Sequence, residues 1–153
     1  MNVRVATPDD AEAISDVLEE LVAAGKRTKP GDAAFVLRHY IVDPDRVQCS
    51  VAVDDDGRIL GLQSLKRARE GNPYGTPVGW GIIGTHVRPS AARKGVGRGL
   101  FAVTRDAAHA ACLERIEAYL GADNDVALDY YGALGFRVHR HEDGIVCKVY
   151  EVA

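Results

Sequence analysis

Apolar residues spaced three and four positions apart mark the first helix of the chain. Between residues 11 and 24 they share one helical face: Ile14, Val17, Leu18, Leu21 and Val22. Gly25 follows this segment as a stop signal. The preceding residues, NVRVAT, alternate valine with polar side chains, which predicts a short strand. A second helix is predicted to begin at Asp32 and to end before the turn at Asp43 and Pro44.

Three segments in the middle of the chain have the character of β-strands. VQCSVAV and RILGLQSLK lie on either side of a short acidic turn and predict a hairpin. The run VGWGIIGTHV is apolar almost throughout, as expected of a central strand that is covered on both faces. The glycine-rich segment RKGVGRG then leads into LFAVTRDAAHAACL, whose apolar residues have helical spacing.

The last third of the chain predicts a strand, a helix and a hairpin. RIEAYL is the strand, and a helix beginning at Asp123 continues to a stop at Gly135. FRVHRH and IVCKVYEV form the final hairpin around a turn. The predicted order is therefore β-α-α-β-β-β-α-β-α-β-β. It describes one α/β domain over residues 1–153, with a central mixed, mostly antiparallel sheet flanked by helices and a ligand expected where the middle strand meets the glycine turn.

Composition and charge narrow the possible functions. A chain of 153 residues is about one domain, and its 46% hydrophobic and 27% charged residues are ordinary for a globular protein. The net charge of -3 argues against sequence-independent binding of nucleic acid, so we expect any basic site to be local. The sequence shows no signal peptide and no apolar run long enough to cross a bilayer. We therefore expect a cytoplasmic protein that does not associate with membranes.

The positions of cysteine and histidine indicate no metal centre. Cys49, Cys112 and Cys147 are far apart in the sequence and form no C-x-x-C pair. His139 and His141 fall on one face of a predicted strand, but no third ligand accompanies them. We therefore expect neither a disulfide framework nor a bound metal.

The segment RKGVGRG, residues 93–99, combines three glycines with three cations just before a helix. Each glycine costs roughly 0.5–1 kcal/mol relative to alanine within a helix, so we interpret the glycines as allowing a ligand to approach the backbone. The free N–H groups and positive dipole of a helix N-terminus suit a phosphate or pyrophosphate. A nucleotide P-loop is excluded because no Lys-Ser or Lys-Thr follows. A dinucleotide fingerprint fails because Leu100 replaces its third glycine.

Two segments resemble the motifs of one enzyme family. VRPSAARKGVGRGLF, residues 87–101, is similar to the acetyl-CoA signature of the GNAT superfamily of N-acetyltransferases. NDVALDYYGALGF, residues 124–136, is similar to the family's later motif, with Asn, Ala three residues on, Tyr seven residues on and a closing Gly-Phe. Ala92 departs from the family pattern, which has Gln or Arg three residues before the first glycine. This change removes a side chain but no backbone N–H, so it bears on affinity for acetyl-CoA more than on the identity of the ligand.

The resemblance implies acetyl-CoA as the cosubstrate and assigns residues to it. The backbone of three strand residues would pair with the pantetheine arm like an added strand: Thr85, His86 and Val87. Backbone N–H groups before and within the first helical turn would hold the pyrophosphate: Arg93, Lys94, Gly95, Val96, Gly97 and Arg98. Asn124 would hydrogen-bond the cofactor, and Tyr131 would face the sulfur.

Acetyl transfer to an amine needs a proton donor for the thiolate and a way to deprotonate the amine. An alkylamine with a pKa of about 10.4 is almost wholly protonated near pH 7, so a base is useful. Tyr131 is the candidate general acid, and a helix directs Tyr130 about 100° away from it. Glu117 on the following strand is a possible base. His86 is another, unless its role is structural or through its backbone, and a water relay is a third.

The acceptor must be recognised outside these motifs, by the loop GKRTKPGD, the segment EGNPYGTPVGW and the terminal hairpin. These segments contain aromatic residues and both signs of charge, which favours the primary amine of a small molecule or an amino acid. Two alternatives stay open: a non-catalytic acyl-CoA-binding module, and an acetyltransferase acting on a protein N-terminus or lysine. The resemblance, together with an exposed strand edge near the C-terminus, also predicts a homodimer.

Overall fold

Seven β-strands are present in the computed structural model, which describes residues 1–153. They are β1 (Asn2–Val5), β2 (Arg46–Val53), β3 (Ile59–Arg67), β4 (Gly81–Val87), β5 (Arg115–Gly121), β6 (Arg137–Glu142) and β7 (Ile145–Glu151). The strands form one sheet in the order β1-β2-β3-β4-β5-β7-β6. Every neighbouring pair is antiparallel except β4 and β5. The sheet is mixed and mostly antiparallel, as the sequence predicts.

Four helices cover the two faces of this sheet: α1 (Ala11–Ala23), α2 (Ala33–Val36), α3 (Val96–Ala110) and α4 (Asp125–Leu134). Leu62 and Leu65 of β3 lie three positions apart, so their side chains point to opposite faces. Leu62 packs in a core with residues of α1 and α2. Leu65 packs in a second core with residues of α3 and α4. The sheet therefore separates an α1/α2 face from an α3/α4 face.

Local capping sets the helix ends. The side chain of Asp32 accepts a hydrogen bond from the N–H of Phe35 at 2.7 Å and starts α2. The side chain of Asn124 accepts one from the N–H of Ala127 at 3.1 Å and starts α4. α4 ends at Gly135, whose φ of +104° only glycine adopts without strain. These caps set the starts of α2 and α4 and the end of α4.

Several boundaries differ from the sequence prediction. α3 spans Val96–Ala110 rather than residues 100–113, so Gly97 and Gly99 lie in its first turn instead of before it. β4 begins at Gly81 rather than at Val78, because Gly79 has φ +90° and donates its N–H to the carbonyl oxygen of Ala68 at 2.9 Å, which makes a turn. α4 begins at Asp125 because Asn124 serves as its cap. The second helix keeps α-helical geometry for only four residues and continues as a π-helical turn over Leu37–Ile41.

The terminal hairpin is arranged so that the later strand is the inner one. β7 lies between β5 and β6, which leaves β6 as an edge strand with mostly exposed side chains. An exposed edge near the C-terminus is therefore present, as the sequence predicts. None of the helices has both the length and the apolar character that a bilayer crossing requires.

Candidate functional site

Strands β4 and β5 separate at the centre of the sheet. They pair only at Gly81 with Ile116 and at Ile82 with Glu117, whereas β4 pairs with β3 as far as Val87. From residue 83 onward, β4 therefore has a partner strand on one side only. An extended ligand can add its own backbone-like hydrogen bonds on the open side. Residues 85–87, which the sequence assigns to such pairing, lie in this open segment.

The turn between β4 and α3 presents a run of backbone N–H groups that have no acceptor in the protein. None of the six N–H groups over residues 93–98 donates a hydrogen bond within the chain, and the first bonded amide is that of Gly99, to the Gly95 oxygen at 3.1 Å. Arg93 has φ +63° and Gly95 has φ +77°, so the backbone is left-handed at two positions. Successive N–H groups in such a turn form a concave nest for an anion. Its place at the start of a 15-residue helix adds the helix dipole.

The three glycines of this segment have different neighbours, which corrects the single explanation taken from the sequence. Gly95 is left-handed, and a Cβ built there would meet nothing within 4 Å. A Cβ at Gly97 would lie 2.5 Å from Tyr130 Cε1, so this glycine makes room for a side chain of α4. A Cβ at Gly99 would lie 2.6 Å from Met1 Cε. Open approach to the backbone therefore explains Gly95, while Gly97 and Gly99 serve packing.

Tyr131 is enclosed between α4 and β4, with 3% of its surface exposed. Its hydroxyl lies 2.7 Å from Thr85 Oγ1, and its ring packs against Tyr130 and Phe136. Burial raises the pKa of Tyr131 well above its ordinary value, so the phenol keeps its proton at neutral pH. Because Thr85 belongs to the open segment of β4, the phenol lies beside that segment.

Tyr130 reaches the same place, although its Cβ leaves the helix in a different direction. Its hydroxyl donates to the carbonyl oxygen of Gly97 at 2.7 Å and accepts from Gln63 Nε2 at 3.0 Å. Gln63 Nε2 also donates to Thr85 Oγ1 at 2.9 Å. The expectation that Tyr130 stands apart from Tyr131 is therefore incomplete, because the two hydroxyls belong to one hydrogen-bond network.

Gln63 is a site residue that the sequence reasoning misses. It is completely buried, and its Oε1 accepts no hydrogen bond from the protein. A buried amide with one orphaned atom costs free energy, so it needs an explanation. The signal available in the sequence is the lone amide of the strand RILGLQSLK, two positions from Leu65 and therefore on the same face of the strand.

Glu117 on β5 is completely buried and held in an ion pair. Arg140 donates to it twice, from Nη2 to Oε1 at 2.7 Å and from Nε to Oε2 at 3.1 Å. Thr76 Oγ1 donates to Oε1 at 2.8 Å. Both oxygens of this carboxylate accept hydrogen bonds, so it can take a proton from a substrate only if one of these hydrogen bonds breaks. The proposed role of Glu117 as a base stays a prediction.

His139 approaches the same carboxylate, with its Nε2 3.8 Å from Glu117 Oε2. No group of three or more His, Cys, Asp or Glu side chains is placed to hold a metal ion. His139 also packs against Trp80, with 5.3 Å between the ring centroids. These contacts give His139 a packing role in the structure.

His86 points to the α1/α2 face and contacts Tyr40. Its Nε2 lies 3.2 Å from the Tyr40 hydroxyl, and the two rings meet edge to face. Burial lowers the pKa of His86 to about 4, so the ring is neutral at pH 7. A base with a pKa near 4 is too weak to deprotonate an alkylammonium ion to any large extent. Its side-chain contact with Tyr40 fits the structural alternative from the sequence.

Asn124 lies at the exposed start of α4. Its Oδ1 caps the helix through the N–H of Ala127, and its side-chain NH2 group makes no hydrogen bond within the protein. The oxygen of the Asn124 amide thus caps α4, while its NH2 group is left as a free donor. A contact from this donor to a ligand is compatible with the cap and stays a prediction.

A pocket of about 340 Å³ opens on the α1/α2 face beside the start of β4. Its wall includes Ile82 of β4 and side chains of both charges: Asp43, Asp45, Lys66, Arg67 and Arg69. Lys66 Nζ pairs with Asp43 at 3.1 Å, and Arg69 pairs with Asp45 at 2.6 Å. His39 and Tyr74 add aromatic surface. The pocket is therefore polar, mixed in charge and adjacent to β4, the strand that contains the open segment.

Comparisons with known proteins agree with this geometry. The family model described as "Acetyltransferase (GNAT) family" matches residues 14–136. Among solved structures, a GCN5-related N-acetyltransferase from Kribbella flavida is 26% identical, with a TM-score of 0.76 over 98% of this chain and 96% of that chain. No curated protein matches the sequence.

Two further solved structures share the fold at lower identity. One is the PaiA N-acetyltransferase from Thermoplasma acidophilum in complex with coenzyme A, 16% identical, with a TM-score of 0.80 over 98% of both chains. The other is a phosphinothricin acetyltransferase from Sinorhizobium meliloti in complex with acetyl-CoA. It is 18% identical, with a TM-score of 0.77 over 98% of this chain and 87% of that chain.

Proposed function

Because this chain belongs to the acetyltransferase (GNAT) family, we propose that it transfers the acetyl group of acetyl-CoA to the primary amine of a small molecule or an amino acid. One observation carries the proposal: the buried, protonated phenol of Tyr131 lies against the segment of β4 that has an open side. The nest of free N–H groups over residues 93–98 follows this segment in the chain. That arrangement offers a strand edge, an anion site and a proton donor along one path.

The residues present fit acetyl-CoA. The six free N–H groups over residues 93–98 suit its pyrophosphate, and three cations add charge: Arg93, Lys94 and Arg98. The open side of residues 85–87 suits the amides of the pantetheine arm. The free NH2 group of Asn124 is a further donor. When bound, acetyl-CoA supplies an acetyl group activated as a thioester.

Tyr131 is the general acid of the proposed reaction. Its phenol donates a proton to sulfur as the carbon–sulfur bond breaks, so the thiolate leaves as a thiol. The raised pKa of Tyr131 keeps this proton available at neutral pH. The proton returns to the phenol from solvent after the product has left.

The amine must lose a proton in the same reaction. The carboxylate of Glu117 is occupied by Arg140 and Thr76, and the pKa of His86 lies near 4. Both side chains are therefore poor proton acceptors in this arrangement. We propose water as the proton acceptor, with Glu117 as the candidate if Arg140 moves away on substrate binding.

The pocket beside β4 is the proposed acceptor site. A volume of about 340 Å³ suits a small molecule, and the mixture of Lys66, Arg69 and two aspartates suits a ligand that carries an amine and a second polar group. An amino acid meets both conditions. A pocket of this size is less suited to an extended peptide.

We also propose a homodimer that pairs through the exposed edge of β6. The support is the position of β6 at the end of the sheet, where its backbone groups on one side have no partner strand. Light scattering gives about twice the chain mass of 16.5 kDa if the proposal holds, and the chain mass itself if it fails.

A screen of amines and amino acids with acetyl-CoA tests the enzymatic proposal. Release of free thiol reports turnover, and the mass of the product identifies the acceptor. Turnover with small amines or amino acids supports the proposal. Clear binding of acetyl-CoA without turnover of any small acceptor or peptide points to a non-catalytic acyl-CoA-binding module, and turnover of peptides alone points to a protein acceptor.

A further inference from the structure

The hydrogen-bond network around Gln63 has a direction, and that direction bears on the proton of Tyr131. The inference rests on the proposed function, because it concerns the setting of the proposed general acid. The first fixed point is Tyr130. Its hydroxyl has one proton, and the carbonyl oxygen of Gly97, 2.7 Å away, can only accept. The proton of Tyr130 is therefore committed to Gly97.

The second fixed point is the amide of Gln63. Since Tyr130 has no other proton to give, the Gln63 atom 3.0 Å from its oxygen must be a donor. This requirement orients the amide with Nε2 toward the hydroxyls and leaves Oε1 without a partner. The second proton of the same NH2 group reaches Thr85 Oγ1 at 2.9 Å. Gln63 thus donates to both hydroxyls.

The third step concerns the hydroxyl of Thr85. It accepts from Gln63, and its other hydrogen-bond partner is the oxygen of Tyr131 at 2.7 Å. If Tyr131 donated to Thr85, the proton of Thr85, whose side chain is half-buried, would have no acceptor within the protein. If Thr85 donates instead, its proton is satisfied and the proton of Tyr131 is free to turn elsewhere.

We propose that Thr85 is a positioning residue, oriented by Gln63, whose hydroxyl donates to the oxygen of Tyr131 and directs the phenol proton toward the departing sulfur. Thr85 touches neither sulfur nor proton in transit and acts through Tyr131. When the phenol gives its proton to sulfur, a phenolate forms, and the hydrogen bond from Thr85 strengthens because its acceptor is now charged. The proton on sulfur comes from Tyr131, and the amine proton leaves to the separate base.

The energetics of the buried phenol agree with this arrangement. Burial raises the pKa of Tyr131, and the hydrogen bond from Thr85 acts in the opposite direction. A phenol that is only buried would give up its proton reluctantly. A donor aimed at its oxygen makes that proton easier to release without exposing the ring to water. The orphaned Oε1 of Gln63 is then the cost of presenting both amide protons to the hydroxyls.

A double-mutant cycle of Thr85→Val and Tyr131→Phe tests the proposal. Thr85→Val keeps the shape of the side chain and removes the hydroxyl, so we expect kcat to fall at least about tenfold, while the KM and the calorimetric Kd for acetyl-CoA hold. Thr85→Ser restores most of kcat. In the Tyr131→Phe background, Thr85→Val changes kcat less than about twofold, because the residue it acts through is gone.

Two further measurements separate positioning from packing. With tyrosine labelled at ¹³Cζ, we expect the resonance of Tyr131 to shift in Thr85→Val and to return in Thr85→Ser. Thr104→Val, at a buried threonine of α3 that makes no hydrogen bond to the network, is the matched control and leaves both kcat and this resonance unchanged. Gln63→Met removes the donor that orients Thr85, and we expect it to lower kcat without lowering stability, since it also removes the orphaned atom.

The outcomes distinguish this proposal from the proposed function. An unchanged kcat in Thr85→Val overturns the positioning role, as does a loss that adds in full to that of Tyr131→Phe. An inert Tyr131→Phe variant overturns the general-acid assignment itself, whatever Thr85 does. If Thr85→Val fails to fold, the ¹³Cζ resonance and kcat of Gln63→Met decide, and no change in either overturns the proposal.

Discussion

Tyr130 and Gly97 fasten the start of α3 to α4. The phenol of Tyr130 donates to the carbonyl oxygen of Gly97 at 2.7 Å, and its ring fills the space in which a side chain at 97 would lie. The helix that carries the anion nest and the helix that carries the proposed general acid are thus fixed to each other by one residue pair. Two functional elements far apart in the sequence keep their spacing through this contact.

Gly97→Ala should separate these helices. The new Cβ would lie 2.5 Å from Cε1 and 3.0 Å from Cζ of Tyr130, so the ring must move. We expect the free energy of unfolding to fall by about 1–3 kcal/mol, as for other overpacked sites, and kcat to fall with it. Denaturant unfolding measures the first effect. Adding Tyr130→Leu should recover part of the lost stability, and a fully stable Gly97→Ala variant would contradict the contact.

Lys94→Glu should weaken the binding of acetyl-CoA. The substitution places a negative charge beside the free N–H groups over residues 93–98 and leaves those groups in place. We expect Kd to rise about tenfold or more, since a charge-assisted contact is lost and a repulsion is added. Calorimetry checks this, with Arg38→Glu on the opposite face as the control. Equal affinities for the two variants would place the pyrophosphate elsewhere.

Tyr131→Phe should lower kcat and leave the affinity for acetyl-CoA unchanged. The substitution keeps the ring against Phe136 and removes only the proton donor. General-acid assistance is worth roughly 10²–10⁴-fold, well above the effect of losing an ordinary hydrogen bond. Single-turnover kinetics with saturating acetyl-CoA measure the step. Tyr150→Phe, in the same core, is the control. A drop below about tenfold would indicate packing or water as the donor.

Mild acid should destabilise the protein through His86. Its pKa falls from 6.5 to about 4 on folding because the ring is buried, near Arg27 and His39. In the unfolded chain His86 binds a proton below about pH 6.5, whereas in the folded protein it binds one only below about pH 4. Stability from this group is complete above pH 6.5 and is lost as pH falls, by about 2 kcal/mol at pH 5.

His86→Asn isolates this contribution. The difference in the free energy of unfolding between pH 7.5 and pH 5 should shrink by about 2 kcal/mol in the variant. The pKa values of Asp10, Glu20 and Asp43 are also lowered in the folded state, so their losses belong to more acidic solutions. Equal pH dependence in the variant and the parent protein would show that His86 titrates normally.

Arg140→Met should be strongly destabilising because it leaves the buried carboxylate of Glu117 without its partner. Removing one member of a buried ion pair costs about 3–5 kcal/mol. We expect Arg140→Met with Glu117→Gln to recover most of that loss in denaturant unfolding. Arg69→Met, which breaks the exposed pair with Asp45, is the control and should cost under about 1 kcal/mol. A Glu117→Gln variant of normal stability that has lost turnover would support the base role instead.

The sequence predicts the order of the elements and the anion nest because both depend on local signals. The apolar spacing in α1, the glycine stop at Gly135 and the strand alternation before α1 each act within a few residues. Arg93, Lys94 and Arg98 lie beside the free N–H groups because they belong to the same short segment. The family motifs then assign Tyr131. The structure places its hydroxyl beside Thr85 of β4, and its role stays a prediction.

The network around Gln63 could not be predicted in the same way. Gln63 and Tyr130 are brought together by the packing of α4 on the sheet, and no local pattern encodes a contact across 67 positions. The contact of Gly97 with Tyr130 also joins distant parts of the sequence, so the sequence alone assigns to the ligand a glycine that makes room for α4. The ion pair of Glu117 with Arg140 also depends on the register of the terminal hairpin.

The position of β7 inside the sheet imposes an order on folding. β6 leaves the ribosome before β7, yet its only partner strand is β7, so β6 has nothing to pair with while β7 is still being made. β5 likewise waits for β7 on one side, and on the other it meets β4 at two residue pairs only. β1 to β4 and α1 thus have their partners in the chain before β7 is made, whereas the half of the sheet beside Tyr131 is complete only once β7 is present.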